Sequence, residues 1–591
     1  MNARTRADRT AARVAPVHYR VEAASLHAHL YRITLTVSQP AALQRLSLPV
    51  WIPGSYLVRE FSKNLQHLAA HQDGKPLPLR QIDKNHWEAD GVAGRPLVLT
   101  YEVYALDASV RTAWLDTQRG FFNGTSLCLR VHGQEMQAHG IEVRAPQAHW
   151  EAATGLTPLK VDKRGFGTYL AADYDELADC PFELGPFWSA QFKVAGVTHR
   201  FVVAGAPRPF DGERLLADTQ KICETAIRFW HGRKRPPFKH YVFMLNAVDD
   251  GYGGLEHRNS TALIAGRRDL PRQGQARQSE GYTTLLGLIS HEYFHTWNVK
   301  RLRPAEFARY DYDHENYTQL LWFFEGFTSY YDDLLLRRCH LIDDSTYLRL
   351  LNKTINQVMQ APGREVQSVA QASFDAWVKY YRQDENTPNA TISYYTKGAL
   401  VALCLDLTLR AEGQGTLDDV MRGLWARSKG GPMTEDDLAD TLKALGGRSY
   451  RRELAAWVHS TRELPLQPLL AGAGVRVQEE AAALQQSLGL RIDDSSGVLR
   501  IKNVLRGGAA EQAGMAAQDE WLGIELGGEG WRITKLDDLS LYAGPHRKFT
   551  ALVARDRRLL RLELTLPAQV TTWRLSIDKA EQVRAWLAGS A

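Results

Sequence analysis

The sequence predicts a multidomain α+β fold, in which a β-rich region is followed by a largely helical region and then by a smaller mixed region. Three observations support this prediction. The 591 residues exceed what one hydrophobic core usually organises, and 44% of them are hydrophobic, as in ordinary globular chains. Alternating apolar and polar residues dominate positions 18–186, and helix-like apolar runs dominate positions 283–460. A stretch with Pro and Gly at 463–474 is expected to be a linker.

The first region is expected to be a β-sandwich-like domain at residues 1–187. Short segments such as 31–37 and 97–103 alternate in polarity, and Gly and Pro residues separate them. This spacing of short strands and turns is typical of packed antiparallel sheets. Strand-like runs continue through 201–204 and helices dominate later. Residues 188–465 are therefore expected to form one domain, with a β lobe followed by an α lobe.

The motif His-Glu-x-x-His occupies residues 291–295 inside the apolar stretch 283–299. Residues four apart on a helix share a face, so His291 and His295 can bind one zinc ion while Glu292 faces a water molecule in the remaining position. Burying such a polar triad in an apolar helix is costly unless it has partners. The motif therefore predicts the chemistry of a zinc hydrolase.

The third zinc ligand is expected on a second helix, at residues 316–340. Glu325 is unusual in this apolar run, because a carboxylate among aromatic side chains is costly to bury unless a metal ion neutralises it. Thr328 follows about one turn later and is placed to hydrogen-bond a metal ligand. Glu315 and His314 are the nearest alternatives in sequence for the third ligand.

These features resemble the gluzincin metallopeptidases, in which HExxH on one helix and a glutamate on the next complete a zinc site. The segments at 325–331 and 253–257 look like the glycyl aminopeptidase family, and this resemblance covers nearly the whole chain. It implies a thermolysin-like catalytic domain, one zinc ion per chain and, often, a C-terminal PDZ domain. The segment at 51–56 is similar to one that the family shares in its N-terminal domain.

The resemblance also implies how a substrate is held. Glu256 matches the family's glutamate that binds the free amino group of the substrate, and a buried carboxylate is a simple way to demand that charge. Gly253 and Gly254 leave room for a substrate strand along the same edge. Tyr395, which precedes a Lys-Gly pair, matches the family's oxyanion-stabilising tyrosine, and Tyr394 is the alternative.

The C-terminal region is expected to hold a PDZ-like domain at residues 475–570 and a helical tail at 571–591. Residues 487–490 resemble the carboxylate-binding loop of PDZ domains, and residues 507–515 resemble their helix–turn segment. PDZ domains bind C-terminal peptides at a sheet edge. Residues 518–520 depart from the usual PDZ pattern, so peptide binding and a purely structural role both stay open.

Charge and composition exclude two classes of partner. A net charge of +5 is small for this length and the charges are interspersed, which argues against nucleic-acid binding. No stretch approaches the roughly 20 apolar residues that span a bilayer.

The five cysteines are scattered through mostly apolar runs and are expected to be reduced. Residues 1–14 lack the apolar core of a secretory signal, so a cytoplasmic location is expected, with a periplasmic one still open.

The sequence therefore predicts a zinc-dependent aminopeptidase that hydrolyses small N-terminal residues, glycine or alanine, from peptides through a zinc-activated water. The preference for small residues rests on the family resemblance alone. In one alternative, a zinc endopeptidase, Glu256 would not meet an amine. In another, a peptide-binding scaffold, the PDZ-like domain would carry the function, and the intact set of His291, Glu292, His295 and Glu325 argues against it.

Overall fold

The computed structural model of the chain describes residues 15–495 and 497–589. The Arg-rich segment at 1–14 lies outside the described residues. No helix within the described ranges is both long and apolar enough to cross a membrane. The five cysteines all lie within these ranges and form no disulfide there.

The chain divides into two compact units. The first runs to Tyr317 and includes Ser428–Pro432, and the second comprises Thr318–Arg427 and the residues from Met433 onward. Strands dominate the first unit, whereas helices dominate the second up to its C-terminal sheets. The expected multidomain α+β class, with a β-rich N-terminal domain and a helical part after it, is therefore confirmed.

Short strands build the N-terminal part of the first unit, together with helices α1 (Gly124–Leu127) and α2 (Tyr174–Ala178). The strands are β1 (Val17–Ser25), β2 (Leu30–Val37), β3 (Leu43–Ser47), β4 (Leu65–Gln72), β5 (Lys75–Leu77), β6 (Leu79–Gln81), β7 (His86–Asp90), β8 (Leu97–Tyr104), β9 (Ala113–Leu115), β10 (Gly120–Phe122), β11 (Arg130–Val131), β12 (His139–Val143), β13 (Glu151–Thr154), β14 (Thr157–Val161), β15 (Gly167–Ala171) and β16 (Phe182–Gly185). They form an eight-stranded sheet, β14-β15-β12-β1-β2-β8-β4-β5, and two four-stranded sheets, β13-β16-β10-β9 and β11-β3-β7-β6.

The alternation that predicted these strands also builds their core. Along β2 the side chains of Tyr31, Ile33 and Leu35 are buried, whereas Arg32 between them is exposed. Strand β2 pairs in antiparallel register with β8, where Tyr31 faces Val103, and the inward side chains join one hydrophobic cluster. A slip by one residue would expose the whole apolar face, so this pattern fixes the register.

The rest of the first unit contains a five-stranded sheet and two long helices. Its elements are β17 (Trp188–Val194), β18 (Val197–Ala204), α3 (Gly212–His231), β19 (His240–Val248), β20 (Tyr252–Glu256), β21 (Ser260–Gly266), α4 (Glu280–Phe294) and β22 (Arg303–Pro304). The sheet order is β17-β18-β19-β21-β20, so β20 is an end strand, and it pairs with β21 in antiparallel register. An end strand offers one row of backbone N–H and C=O groups to a further strand.

Helices dominate the chain from residue 321 to residue 472. They are α5 (Leu321–Arg338), α6 (Asp344–Met359), α7 (Val369–Phe374), α8 (Thr387–Ala390), α9 (Tyr394–Ala411), α10 (Leu417–Ser428), α11 (Glu435–Gly446), α12 (Arg451–Trp457) and α13 (Leu466–Gly472), with the short strand β23 (Pro432–Met433) before α11.

The C-terminal part returns to mixed structure. Its elements are β24 (Val475–Ala481), α14 (Leu484–Leu488), β25 (Leu490–Asp493), β26 (Leu499–Val504), α15 (Ala509–Gln512), β27 (Glu520–Leu526), β28 (Glu529–Arg532), α16 (Asp538–Ala543), β29 (Lys548–Arg555), β30 (Arg558–Thr565), β31 (Thr571–Ile577) and α17 (Ala580–Ala588). Strand β24 pairs with β31, and the remaining strands form a six-stranded sheet.

The helix predicted at residues 316–340 begins only at Leu321. The side-chain amide of Asn316 makes two hydrogen bonds with the backbone of Asp311, of 2.7 and 2.9 Å. A side chain that satisfies backbone groups in this way competes with helix formation. The residues before Leu321 are therefore a loop, and the prediction is wrong at this end.

Two C-terminal expectations also change. The stretch at 463–474, expected to be a linker, contains helix α13, because Leu466 and Leu470 are buried about one turn apart. The tail at 571–591, expected to be helical, begins with strand β31 and is helical only at α17. All of β31 pairs with β24, so a partner strand far away in sequence decides its conformation.

Candidate active site

Helix α4 carries the HExxH motif at its C-terminal end. The helix ends at Phe294, and His295 directly follows it as its C-cap. The Nε2 atoms of His291 and His295 are nevertheless 3.0 Å apart. The spacing of four residues therefore brings the two imidazoles to one point, as expected.

A backbone carbonyl fixes the orientation of His295. Its Nδ1 atom lies 2.8 Å from the carbonyl oxygen of Asn298, and both residues are buried. We assign the ring proton to Nδ1, which donates it to this carbonyl, because a carbonyl can only accept. The lone pair of Nε2 then stays available, which is how the second nitrogen of a metal-binding histidine is usually held.

Glu325 lies on helix α5 and is only 2% exposed. Glu325 as the third zinc ligand stays a prediction, with His314 and Glu315 as the alternatives. Two imidazole nitrogens and a carboxylate oxygen suit a zinc ion, which binds such atoms at about 2.0–2.2 Å in a tetrahedron. The donor set thus fits the metal that the motif predicts.

A second group with metal-binding side chains, His86, His132 and Asp313, occurs among the described residues. Here protein groups already satisfy the ligand atoms. The guanidinium of Arg130 lies 3.0 Å from the Asp313 carboxylate, and the hydroxyl of Ser47 lies 2.9 Å from Nε2 of His132. A cation at the carboxylate competes with a metal ion, so this second group is a weak candidate for a metal site.

Thr328, one turn after Glu325, is completely buried. Its hydroxyl donates to the carbonyl oxygen of Phe324 at 2.6 Å, within the same helix. A buried hydroxyl needs a hydrogen-bond partner, so this bond by itself gives Thr328 a structural role. The hydrogen bond from Thr328 to a metal ligand stays a prediction.

Glycines bring helix α9 against helix α5. A Cβ atom on Gly326 would lie 2.5 Å from the backbone of Gly398, so only glycine permits this approach. Tyr395 of α9 consequently lies near Glu325. Burial first, and then the Glu325 carboxylate, raises the pKa of Tyr395 well above its usual value. Its hydroxyl stays protonated at neutral pH and can donate a hydrogen bond.

Tyr395 belongs to a cluster of three tyrosines. Its ring centroid lies 4.8 Å from that of Tyr394 and 5.4 Å from that of Tyr380. Tyr394 is fully buried, whereas Tyr395 is half-buried. A group that meets a substrate needs some accessible surface, which Tyr395 has and Tyr394 lacks. The role of Tyr395 as the oxyanion donor, with Tyr394 as the alternative, stays a prediction.

The end strand β20 passes beside the predicted general base. A Cβ atom on Gly254 would collide with Oε1 of Glu292, so the missing side chain allows β20 and α4 to meet. Gly253 has a φ of +151°, a conformation that L side chains rarely adopt. Both glycines therefore keep this edge of the sheet clear beside Glu292, as pairing with a substrate strand requires.

Glu256 is the last residue of β20, and it is 4% exposed. Among the described residues no group forms a hydrogen bond or an ion pair with its carboxylate. The segment at 51–56 covers it, because a Cβ atom on Gly54 would lie 2.5 Å from Oε1 of Glu256. The φ of Gly54 is +98°. Backbone atoms of the N-terminal β-rich region, at a residue without a side chain, thus cover one side of the predicted amine site.

A buried charge network fixes the residues after Glu256. Asp179 accepts a hydrogen bond of 3.0 Å from the backbone N–H of Arg258, lies 3.2 Å from Nδ1 of His257 and pairs with Lys300 at 2.7 Å. Burial raises the pKa of Asp179, but Lys300 and the other partners outweigh burial and hold the pKa well below its usual range. The ionised Asp179 therefore anchors the chain directly after Glu256.

Sequence reasoning missed Gly54, Asp179 and Tyr380 as neighbours of the predicted site residues. The Pro-Gly pair at 53–54 marks a turn, which was the available signal for Gly54. Asp179 and Tyr380 belong to no motif in the sequence. Their contacts arise from tertiary packing, which a single sequence does not encode locally.

Comparisons with known proteins identify the family of the chain. A family model for the peptidase M61 N-terminal domain matches residues 18–186, and one for M61 glycyl aminopeptidase matches residues 284–401. The crystal structure of an aminopeptidase N family protein from Idiomarina loihiensis is 37% identical to this chain. That likeness covers 97% of this chain and all of the other, with a TM-score of 0.92. No curated protein matches the chain.

A more remote likeness links the chain to an M1 zinc metallopeptidase from Deinococcus radiodurans, crystallised as a mutant with a Tyr-Ser-Ala substrate. The identity is 17%, the coverage is 77% of this chain and 96% of that one, and the TM-score is 0.46. The matched family models define the class of this protein, which is a peptidase. The chain belongs to the M61 glycyl aminopeptidase family.

Proposed function

We propose that the protein is a zinc-dependent aminopeptidase that removes small N-terminal residues, glycine or alanine, from peptides. The observation that carries the proposal is Glu256, a buried carboxylate at the end of β20 with no partner among the described protein groups. A substrate ammonium would supply the missing charge, and a blocked or internal peptide would not. The preference for small residues is supported by the family description.

Zinc would be held by His291, His295 and Glu325. The 3.0 Å between the Nε2 atoms of His291 and His295, together with the carbonyl at Nδ1 of His295, supports the two histidines of this set. A bound zinc ion would polarise the scissile carbonyl and acidify the attacking water. The family resemblance and the chemistry of two imidazoles with one carboxylate favour zinc over other metals.

Residues of the chain would move the protons and hold the substrate. Glu292 takes a proton from the attacking water and passes it to the leaving amine. Tyr395 donates its hydroxyl hydrogen to the developing oxyanion. Glu256 binds the ammonium, while the edge of β20 at Gly253 and Gly254 pairs with the substrate backbone.

We further propose the domain assignment that the sequence suggested. Residues 1–187 form the β-rich domain and residues 188–465 the thermolysin-like catalytic domain, in which a five-stranded sheet precedes the helices. Residues 475–570 form a PDZ-like domain, followed by the tail at 571–591. A cavity of about 870 Å³ beside Gly489 supports binding of C-terminal peptides by this domain.

Metal analysis tests the zinc site. Purified protein should carry about one zinc per chain, and Glu325→Ala should lose most of it during dialysis against a mild chelator, with an unchanged circular dichroism spectrum. Glu365→Ala, which removes an exposed glutamate of the same unit, is the matched control. Full zinc content in Glu325→Ala would reject Glu325 as a ligand.

A hydrolysis profile tests the aminopeptidase assignment. Glycyl, alanyl and leucyl chromogenic amides should be cleaved in falling order from the small residues to leucine. Their N-acetylated forms should be inert, because acetylation removes the ammonium that Glu256 would bind. Cleavage of acetylated substrates at similar rates would instead indicate an endopeptidase.

A further inference from the structure

Arg111 reaches the predicted substrate edge from the β-rich domain. It lies in the loop between β8 and β9, and one of its Nη atoms donates to the carbonyl oxygen of Gly254 at 3.0 Å. The side chain is half-buried. A guanidinium from the N-terminal region therefore sits directly against the strand that carries Glu256.

The guanidinium of Arg111 is not neutralised within the described part of the chain. Its Nε atom is buried without a hydrogen-bond partner, and no described carboxylate pairs with it. Arg119 in the same region shows the contrast, because it makes two hydrogen bonds of 2.7 Å to the carboxylate of Glu183. A cation held near a cleft with spare donors is suited to an anionic ligand.

The distance along β20 between Gly254 and Glu256 indicates which anionic ligand would fit at Arg111. Gly254 and Glu256 are two residues apart, which corresponds to about 7 Å along a strand. An extended dipeptide also spans about 7 Å from its amino group to its carboxylate. With its ammonium at Glu256, a dipeptide that runs antiparallel to β20 would place its carboxylate level with Gly254, where Arg111 lies.

We propose that Arg111 binds the C-terminal carboxylate of the substrate, so that dipeptides with a small first residue are the preferred substrates. The inference rests on the proposed aminopeptidase function and deepens it. Glu256 and Arg111 then recognise the two ends of one short molecule, and each residue supplies the charge opposite to that end. Arginine is suited to this task because its fork of N–H groups matches a carboxylate in two hydrogen bonds.

A purely structural role for Arg111, holding the carbonyl of Gly254, makes a different prediction. Loss of that hydrogen bond would disturb β20 and slow every substrate to the same extent. Loss of a carboxylate anchor slows only the substrates that carry a carboxylate. Arg111→Gln separates the two roles, since glutamine keeps an N–H donor for Gly254 and removes the charge.

The experiment compares kcat/KM on Gly-Gly, its C-terminal amide and glycyl p-nitroanilide for wild type and Arg111→Gln. Wild type should favour the free acid over the amide by about tenfold or more, as one charge-assisted pair would give. In Arg111→Gln this ratio should fall to about one, and the anilide rate should change by less than about threefold. Arg95→Gln, at an exposed ion pair of the same region, should behave as wild type.

Three outcomes overturn the inference. Equal cleavage of acid and amide by wild type, or equal losses on all three substrates in Arg111→Gln, rejects the carboxylate anchor and leaves the proposed function intact. If wild type loaded with zinc cleaves none of the three substrates, the proposed function fails and the inference fails with it.

Discussion

Two buried carboxylates, Glu256 at the end of β20 and Asp519 before β27, differ in what satisfies them. Asp519 is fully buried, and its oxygens accept two hydrogen bonds of 2.8 Å from Arg555 and one of 2.9 Å from the backbone N–H of Ala516. Glu256 is 4% exposed, yet no described protein group pairs with it. The Asp519 carboxylate therefore has its hydrogen-bond partners within the C-terminal sheet region. The Glu256 carboxylate has no hydrogen-bond or ion-pair partner among the described residues.

Structural and functional buried charges in this chain differ in whether the fold supplies their partners. Burying a charge is costly unless partners compensate it. Asp519 has its partners in the fold, so it serves stability. Glu256 has no hydrogen-bond or ion-pair partner among the described groups, and only the charge of nearby Lys300 favours it. A substrate ammonium would supply the direct partner, which is the role that the proposed function gives to Glu256.

The largest effect is expected at Glu292, another buried carboxylate, which lies beside Gly254. Glu292→Gln should lower kcat by about 10²- to 10⁴-fold, because it removes the group that accepts the proton of the attacking water. Zinc content should stay at the wild-type level. A variant that keeps more than about a tenth of the wild-type rate at full zinc occupancy would contradict this role.

The Asp179 carboxylate lies near Glu256 but has hydrogen-bond and ion-pair partners. Its loss should therefore lower stability, as expected for Asp519, and not substrate recognition, as expected for Glu256. Asp179→Asn should lower the free energy of unfolding by about 3 kcal/mol at pH 7, since Lys300 is left buried without its partner. Asp73→Asn, at an exposed ion pair, is the control and should cost less than about 1 kcal/mol.

The pH dependence of this cost follows from the lowered pKa of Asp179. Its stabilisation is complete above the pKa of an unfolded aspartate, about 3.9, and is lost as the pH falls towards the lower folded-state pKa. The difference between wild type and Asp179→Asn in urea unfolding should therefore be constant from about pH 7 to pH 5 and shrink below about pH 4. A difference that grows on acidification would contradict the ionised state of Asp179.

The sequence predicted the candidate metal ligands of the site better than the residues that surround the substrate edge. The spacing of His291 and His295 fixes their relation through one helix, and Glu325 stands out as a carboxylate in an aromatic run, so both were accessible from local pattern. Arg111 and Gly254 are 143 residues apart and meet only through tertiary packing. The late start of helix α5 was missed for a different, local reason, because the side chain of Asn316 bonds the backbone five residues earlier and competes with the helix.

Asp519→Asn tests whether the Asp519 carboxylate contributes to stability and not to activity. The variant should lose about 2 kcal/mol of unfolding free energy, because one charge-assisted contact with Arg555 is replaced by a weaker one. Its kcat/KM on a glycyl amide should match wild type. Glu256→Gln should show the reverse pattern, with stability unchanged within about 1 kcal/mol and activity reduced. Equal stability losses in both variants would remove the distinction between the two carboxylates.

The smallest effect is expected at the wall over Glu256. Gly54→Ala places a Cβ atom 2.5 Å from Oε1 of Glu256, so the carboxylate must shift, and kcat/KM on a glycyl amide should fall by about tenfold. Gly94→Ala is a matched control, because Gly94 also has a positive φ but nothing lies within 4 Å of its Cβ position. If both variants lose activity equally, backbone strain and not contact with Glu256 is responsible.

The most direct test of amine recognition compares wild type and Glu256→Ala on a glycyl amide and on its N-acetyl counterpart. Losing a desolvated charge pair is expected to cost about 2 to 5 kcal/mol, or roughly 30-fold to several thousand-fold in kcat/KM on the free amine. Activity on the acetylated substrate should be negligible for both proteins. Equal losses on the two substrates, or rapid cleavage of the acetylated one by wild type, would contradict the role of Glu256 and favour an endopeptidase.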